Sequence, residues 1–167
     1  MSAPSFRSAR NPNAPGPEVL PPNLFLPPLI HWMATGPQFD GRFVGRYTQM
    51  WTLPSTSLTT WDRMGYDPSS DNGGQVWRDV YFSFGQNLID MMNKAEAQQR
   101  WDVLGVGHVI KAYGWLAATS LHGEIIIKEA FNTNKVTFQY DSQEFAYQEV
   151  LRHLDEAITL ATLPEFA

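Results

Sequence analysis

Tyr140-Asp141-Ser142-Gln143-Glu144-Phe145, running on into Tyr147-Gln148-Glu149-Val150-Leu151-Arg152-His153-Leu154-Asp155-Glu156-Ala157-Ile158, is the stretch that sets the fold class. Asp141 stands three residues before Glu144, the spacing of a capping box. The Asp carboxylate can accept from the amide three positions on, while the Glu reaches back to the cap's own N–H. Tyr140 and Phe145 are spaced as a hydrophobic staple across that cap. Tyr147, Val150, Leu151, Leu154, Ile158 and Ala161 then recur at helical spacing, with Glu149, Arg152, Asp155 and Glu156 between them. The pattern predicts a helix capped at Asp141, with one wide apolar face, ending at Leu163-Pro164. A stripe so wide expects a packing partner. It predicts that the chain is the N-terminal part of a longer protein, with Tyr147, Leu151, Leu154 and Ile158 left exposed in this piece.

Upstream, two more segments read as long amphipathic helices. Trp77, Tyr81, Phe84, Leu88, Met91 and Met92 alternate at three and four, predicting a helix from about Gly74 to Ala95, with Asn72 as cap and Gln75 at the capping-box position. Trp101, Leu104, His108, Ala112, Tyr113, Leu116 and Ser120 share one face of a helix over about 100–121, which His122-Gly123 ends. Two shorter helices are predicted before these, over 23–34 and 39–51, separated by Gly36-Pro37. Residues 1–22 hold six of the prolines and form an extended lead-in that cannot be helical. Residues 52–73, rich in Ser, Thr, Pro and Gly, form a long loop, and long loops in compact domains are often functional. Residues 124–139 form a second loop. The fold class is therefore all-α, with residues 23–167 as one helical region. Helix pairs that each leave an apolar face for the next describe an α-solenoid, and Trp101, Leu104-Gly105, Ala112 and Tyr113 resemble the small and aromatic positions of a tetratricopeptide pair.

The chain of 167 residues is long enough for one domain with a real core. Aromatic residues make up 13% and charged residues only 17%, a balance that suits stacking on sugar rings or an interface cut open. A net charge of −5, with 12 scattered Lys and Arg, argues against nucleic acid, which needs clustered cations. With no cysteine there is no disulfide, thiol nucleophile or thiolate metal site. His31, His108, His122 and His153 lie far apart in sequence and lack metal-ligand spacing, so they read as ordinary core or surface histidines. Asp155-Glu156 are adjacent and so do not face each other on a helix. No Walker, G-x-G-x-x-G or G-x-S-x-G sequence is present. No cofactor is expected, and no enzyme.

The C-terminal stretch also resembles the SusD/RagB family of outer-membrane nutrient-binding lipoproteins, in which it reads, loosely, P-x-Y-D-S-Q-E-x-x-Y-x-x-I-x-x-x-L-D-E-A-I-x-L. Four further pieces are similar in the right order. They are Asn11-Pro12-Asn13 with Val19–Pro27, then Gly41–Gly45 with Tyr47–Trp51, then Val76–Tyr81, then Val109–Tyr113. Together they span nearly the whole chain. One departure stands out: where the family has GDIPYSEA, this chain has Gly123-Glu124-Ile125-Ile126-Ile127-Lys128-Glu129-Ala130, so that turn is expected to differ. The resemblance implies a lipoprotein on the extracellular face of the outer membrane that captures an oligosaccharide and delivers it to a SusC-like TonB-dependent transporter. Its signal peptide and lipidated cysteine would lie outside this chain. Without the resemblance, the missing signal sequence at Met1–Arg7 reads as cytoplasmic.

The ligand-binding expectation falls on the loop holding Trp61, Arg63, Tyr66, Asp67, Asp71 and Asn72. A flat indole suits the C–H face of a pyranose, and planar polar groups suit its hydroxyls. Trp61 and Tyr66 are equally the residue types that plug a loop onto neighbouring helices. Trp51, Trp77, Trp101 and Trp115 sit on helical stripes and read as core. The alternative to a glycan-binding lipoprotein is a helical-repeat scaffold that binds a protein and no sugar.

Overall fold

The fold rests on a central helix, α4 (Trp101–His122), against which every other helix packs. In this computed structural model, residues 19–50 and 74–163 are described. A 3-10 turn over Pro22–Phe25 leads into α1 (Leu26–Tyr47). A short α2 (Gly74–Arg78) runs into a π turn (Asp79–Ser83), then α3 (Gly85–Ala97), α4, and α5 (Gln143–Ala161). Among the described residues the fold is all-α, and the one β-bridge joins Ile125 to Asp141.

The sequence of α4 explains its place. Val103, Leu104, Gly105, Gly107, Ile110, Ala112, Gly114, Trp115, Ala118 and Thr119 are all buried, and they point to several sides. A helix buried on most of its circumference is a core helix, and only a stripe through Val106, Val109 and Leu116 reaches solvent. The expected single face through Leu116 and Ser120 is corrected: both are exposed. The glycines let neighbours approach. A Cβ on Gly107 would strike Met92 of α3, one on Gly114 would touch Phe84 and Val80, and one on Gly105 would touch Leu160 and Ala157 of α5. At the end of α4, Gly123 takes a left-handed φ of 77° and its N–H donates to the Thr119 carbonyl, as the His122-Gly123 stop predicts.

Two expected boundaries are corrected. The break at Gly36-Pro37 does not occur, and α1 runs straight through Pro37. An interior proline costs roughly 3 kcal/mol, so tertiary contacts hold this helix together. Leu29 is fully buried, Gly36 packs against the Asp79 carboxylate, and Asp40 is 1% exposed. Asp40 Oδ2 accepts from Val76 N at 2.8 Å. A carboxylate from α1 thus serves an orphan amide at the start of α2. Gln75, expected in a capping box, instead donates to Asp79 Oδ1 at 2.8 Å. The expected cap, Asn72, lies outside the described residues. Burial pushes the Asp79 carboxyl above the usual range, with Asp40 nearby adding to it.

The second correction lies in the helix expected over 74–95, which is interrupted. The π turn and a bend at Phe84 separate α2 from α3. Gly85 makes this possible, because any Cβ there would collide with the Val80 carbonyl and the Phe131 ring. The apolar stripe still does its work: Phe84, Leu88, Met91 and Met92 are buried, while Trp77 and Tyr81 are half-buried. Trp115 is buried and Trp101 packs at the edge of the core. Trp51 lies outside the described residues.

α5 rests chiefly on α4. Its inner face is Ala146, Val150, His153 and Ala157, and its outer face carries Tyr147, Leu151, Leu154 and Ile158 in solvent, as the stripe predicts. Glycine substitutions test this packing. Gly85→Ala should lower stability by about 1–3 kcal/mol, because backbone and a ring must move. Gly41→Ala, in α1 with nothing within 4 Å of its Cβ, should raise it by about 0.5–1 kcal/mol. Calorimetric melting of the two variants should show shifts of opposite sign.

Candidate functional site

The motif Tyr140-Asp141-Ser142-Gln143 organises the loop between α4 and α5, one residue per task. Asp141 is not the N-cap of α5, which corrects the expected capping box. Ser142 takes that place, its Oγ accepting from Phe145 N at 3.2 Å. Asp141 is drawn inward instead, to 8% exposure. Its backbone exchanges hydrogen bonds with Ile125, at 2.7 and 3.2 Å. Its Oδ2 accepts from Ile127 N and Lys128 N, both at 2.9 Å, and Oδ1 pairs with Lys128 Nζ at 3.2 Å. Burial alone would raise this carboxyl. The two amides and the ammonium outweigh it and hold the group below the usual carboxylate range. Gln143 Nε2 donates to the Thr119 carbonyl at 2.9 Å, tying the start of α5 to the end of α4. Tyr140 stacks on Trp77, with ring centroids 6.1 Å apart and planes 29° apart.

Held this way, the loop closes over the π turn. Tyr81 Oη donates to the Ile126 carbonyl at 2.7 Å and accepts from Ile126 N at 2.9 Å. Burial pushes its phenol well above the ordinary range, so the hydroxyl keeps its proton. Ile125, which precedes the Ile126-Ile127 that stand where the family has Pro-Tyr, is fully buried. The isoleucines therefore anchor the loop through core packing and one tyrosine clasp.

Between this loop and the π turn lies a cleft of about 460 Å³. Trp77, Tyr81, Phe131 and Phe138 line it with aromatic surface, and Gln86, Asn132, Thr133 and Lys135 add amide, hydroxyl and ammonium groups. The rings are locked. Trp77 and Tyr81 centroids are 4.6 Å apart, Tyr81 lies 6.2 Å from Phe131, and buried Trp115 backs both Tyr81 and Phe131 at 5.8 and 6.5 Å. Lys135 pairs with Glu129, whose other oxygen accepts from Gln139 N at 3.0 Å. The Lys135 hydrogen bond holds the Glu129 carboxyl below its usual range. A fixed aromatic floor with a polar rim is suited to stacking on a sugar ring and binding its hydroxyls.

Residues 17–165 match a family described as starch-binding associating with outer membrane, SusD-like_2. The chain belongs to this SusD-like family. No curated protein and no solved structure matches it. The earlier resemblance is thereby borne out, and binding of starch or a related glycan in association with the outer membrane is the family's property. SusD-like proteins are binding proteins rather than enzymes.

The ligand residues expected from this SusD-like sequence, Trp61, Arg63, Tyr66, Asp71 and Asn72, all lie outside the described residues, as does Asp67. Trp77, expected in the core, packs against it and also lines the cleft. The signal for the cleft was present: Trp77 and Tyr81 sit four apart, and Phe131 and Phe138 bracket the polar run Asn132-Thr133-Asn134-Lys135. Of the histidines, His153 is a core residue, and it meets His108 across α4 and α5 with their Nδ1 atoms 2.8 Å apart. No group of three or more His, Cys, Asp or Glu among the described residues is arranged to hold a metal.

Asp141→Ala should cost about 1–3 kcal/mol, because two part-buried amides lose a charged acceptor. Chemical denaturation should read that loss, and the Ile127 and Lys128 amides should lose protection first. Because the folded carboxyl titrates below the unfolded one, Asp141's contribution is present above the ordinary carboxylate range and fades as pH falls through it. The stability gap between the two proteins should therefore shrink below about pH 4.

Proposed function

We propose that the cleft on Trp77, Tyr81, Phe131 and Phe138 binds a glycan, and that this protein captures oligosaccharide at the extracellular face of the outer membrane for a SusC-like TonB-dependent transporter. In this reading a lipid anchor outside the present chain holds it there. The observation that carries the reading is the Trp77 indole, held between Tyr140 and Tyr81 at the mouth of the cleft. An ordered aromatic face loses little entropy on stacking, and the Asn132, Thr133 and Gln86 side chains beside it can meet sugar hydroxyls. Trp61 remains a proposed second platform, with Arg63, Tyr66, Asp71 and Asn72 as its polar and aromatic partners. Asn72 precedes Trp77 by five residues, so the loop enters α2 close in sequence to the cleft's main ring.

A protein-binding scaffold is the second reading. It is favoured by the exposed row Tyr147, Leu151, Leu154 and Ile158 on α5.

Calorimetry with maltoheptaose, a soluble starch fragment, separates the two. Glycan capture predicts measurable binding that Trp77→Ala weakens by about 1–3 kcal/mol, the range for losing an anchor aromatic, with helical content unchanged. Trp77→Phe should keep part of it. No binding of starch fragments or other neutral oligosaccharides by the wild-type protein would overturn the reading. Loss on Trp61→Ala but not on Trp77→Ala would move the site to the 52–73 loop.

A further inference from the structure

His153 is 3% exposed in the middle of the face that α5 lays on α4, and it sits at the centre of a chain of hydrogen bonds. Arg152 grips Glu149 through Nε and Nη2, at 2.8 to 3.2 Å, and reaches Glu156 through Nη1 at 3.3 Å. Arg152 Nη2 also lies 3.2 Å from His153 Nε2. A guanidinium only donates, so His153 Nε2 must be the acceptor and its proton must sit on Nδ1. That Nδ1–H faces His108 Nδ1 at 2.8 Å, so His108 must accept there and carry its own proton on Nε2. The whole arrangement admits one protonation pattern, with both rings neutral. A proton added to His108 Nδ1 meets the His153 N–H. A proton added to His153 Nε2 meets the Arg152 guanidinium. Either addition breaks a part-buried hydrogen bond.

The charged surroundings act the same way. Lys111, on α4 one turn beyond His108, and Arg152 on α5 oppose a positive charge on either ring, while Glu149 and Glu156 on α5 and Glu96 on α3 act against them. Burial is the larger cause, and it lowers both imidazoles, His153 to about 3. The contacts around the pair are small: Ala146, Val150 and Ala157 are the other buried residues on the inner face of α5, Leu160 packs near its end, and Tyr147, Leu151, Leu154 and Ile158 point outward. α5 is thus held by modest apolar burial plus a histidine pair that works only when neutral. Asp141 and Gln143, which fix the cleft loop, lie at the head of the same helix.

We propose that the His108–His153 pair is a pH-sensitive latch: proton uptake frees α5 from α4, withdraws Asp141 from the loop, and opens the cleft so that a ligand bound at neutral pH is released under mild acid. The release of ligand rests on the glycan reading of the cleft; the latch itself does not.

The sign follows from linkage. Each histidine is harder to protonate in the docked state, so docking is fully supported above about pH 6.5 and weakens as pH falls below it. Asp141 and Glu149 stay ionised at pH 5, because both are held below the usual carboxylate range.

Amide hydrogen exchange of Ile127 and Lys128, corrected for intrinsic rates, tests the latch at pH 7.5 and pH 5. The expected result is an opening constant about 30-fold larger at pH 5 for each histidine that titrates only when undocked. In His108→Asn/His153→Asn, whose amides can keep a neutral hydrogen bond, the pH dependence should vanish. If that variant does not fold, imidazole NMR of the wild-type protein decides instead. Rings that stay neutral down to pH 5 in the docked state support the latch. Either ring charging in that range while Ile127 and Lys128 remain protected overturns it, as does a pH-independent opening constant in the wild type. Maltoheptaose affinity, measured in parallel, should fall at pH 5 in the wild type and hold in the variant. A protein that binds no sugar at pH 7.5 refutes the glycan reading, and the exchange result still decides the latch.

Discussion

One carboxylate, Asp141, holds the site together. It leaves the helix it was placed to cap and spends its oxygens on Ile127 N, Lys128 N and Lys128 Nζ, while its backbone pairs with Ile125. The consequence spreads in both directions. Toward the loop, it sets where Ile126 meets the Tyr81 hydroxyl and hence where Phe131 and Phe138 stand. Toward the helix, it hands the capping role to Ser142 and lets Gln143 fasten α5 to α4. A buried carboxylate is costly to desolvate unless its lone pairs are filled, and here three donors fill them. Loop, helix start and cleft wall therefore share one anchor.

The cleft joins two kinds of rigidity. Its aromatic floor is a continuous run of rings from buried Trp115 through Tyr81 to half-buried Trp77. Its polar rim is a loop that owes its shape to side-chain and backbone bonds rather than to a sheet. Membership in a family described as starch-binding fits such a surface, since stacking needs a fixed plane and hydroxyl binding tolerates a loop.

Local periodicity made much of the fold legible. The ends of α4 and the body of α5 follow from spacing and from His122-Gly123, because these features act within one or two turns. What failed was decided at long range. Pro37 reads as a helix end until Asp40 and Gly36 are seen against α2 and Asp79. The 74–95 stripe reads as one helix until Gly85 is seen beneath Val80 and Phe131. Asp141 has the spacing of a cap, and only the amides of Ile127 and Lys128, more than a dozen residues away, reveal its other use. His108 and His153 are 45 residues apart and carry no local signal of their pairing. At the site, Trp77 reads as core because its helical stripe is shared with core residues, and it does pack against that core while also lining the cleft, a second role that only the distant 126–138 loop reveals.

The π turn over Asp79–Ser83 carries one residue more per turn than an α-helix would. Remove any one of those five and the segment can close as ordinary helix, turning everything before it by about 100° relative to α3. Trp77 would then swing away from Tyr140 without a single aromatic residue having been replaced. The orientation of the cleft's principal ring is thus stored in chain length as well as in residue identity at Gly85. A relative could gain or lose this face through a one-codon insertion or deletion, leaving the aromatic pattern of its sequence intact.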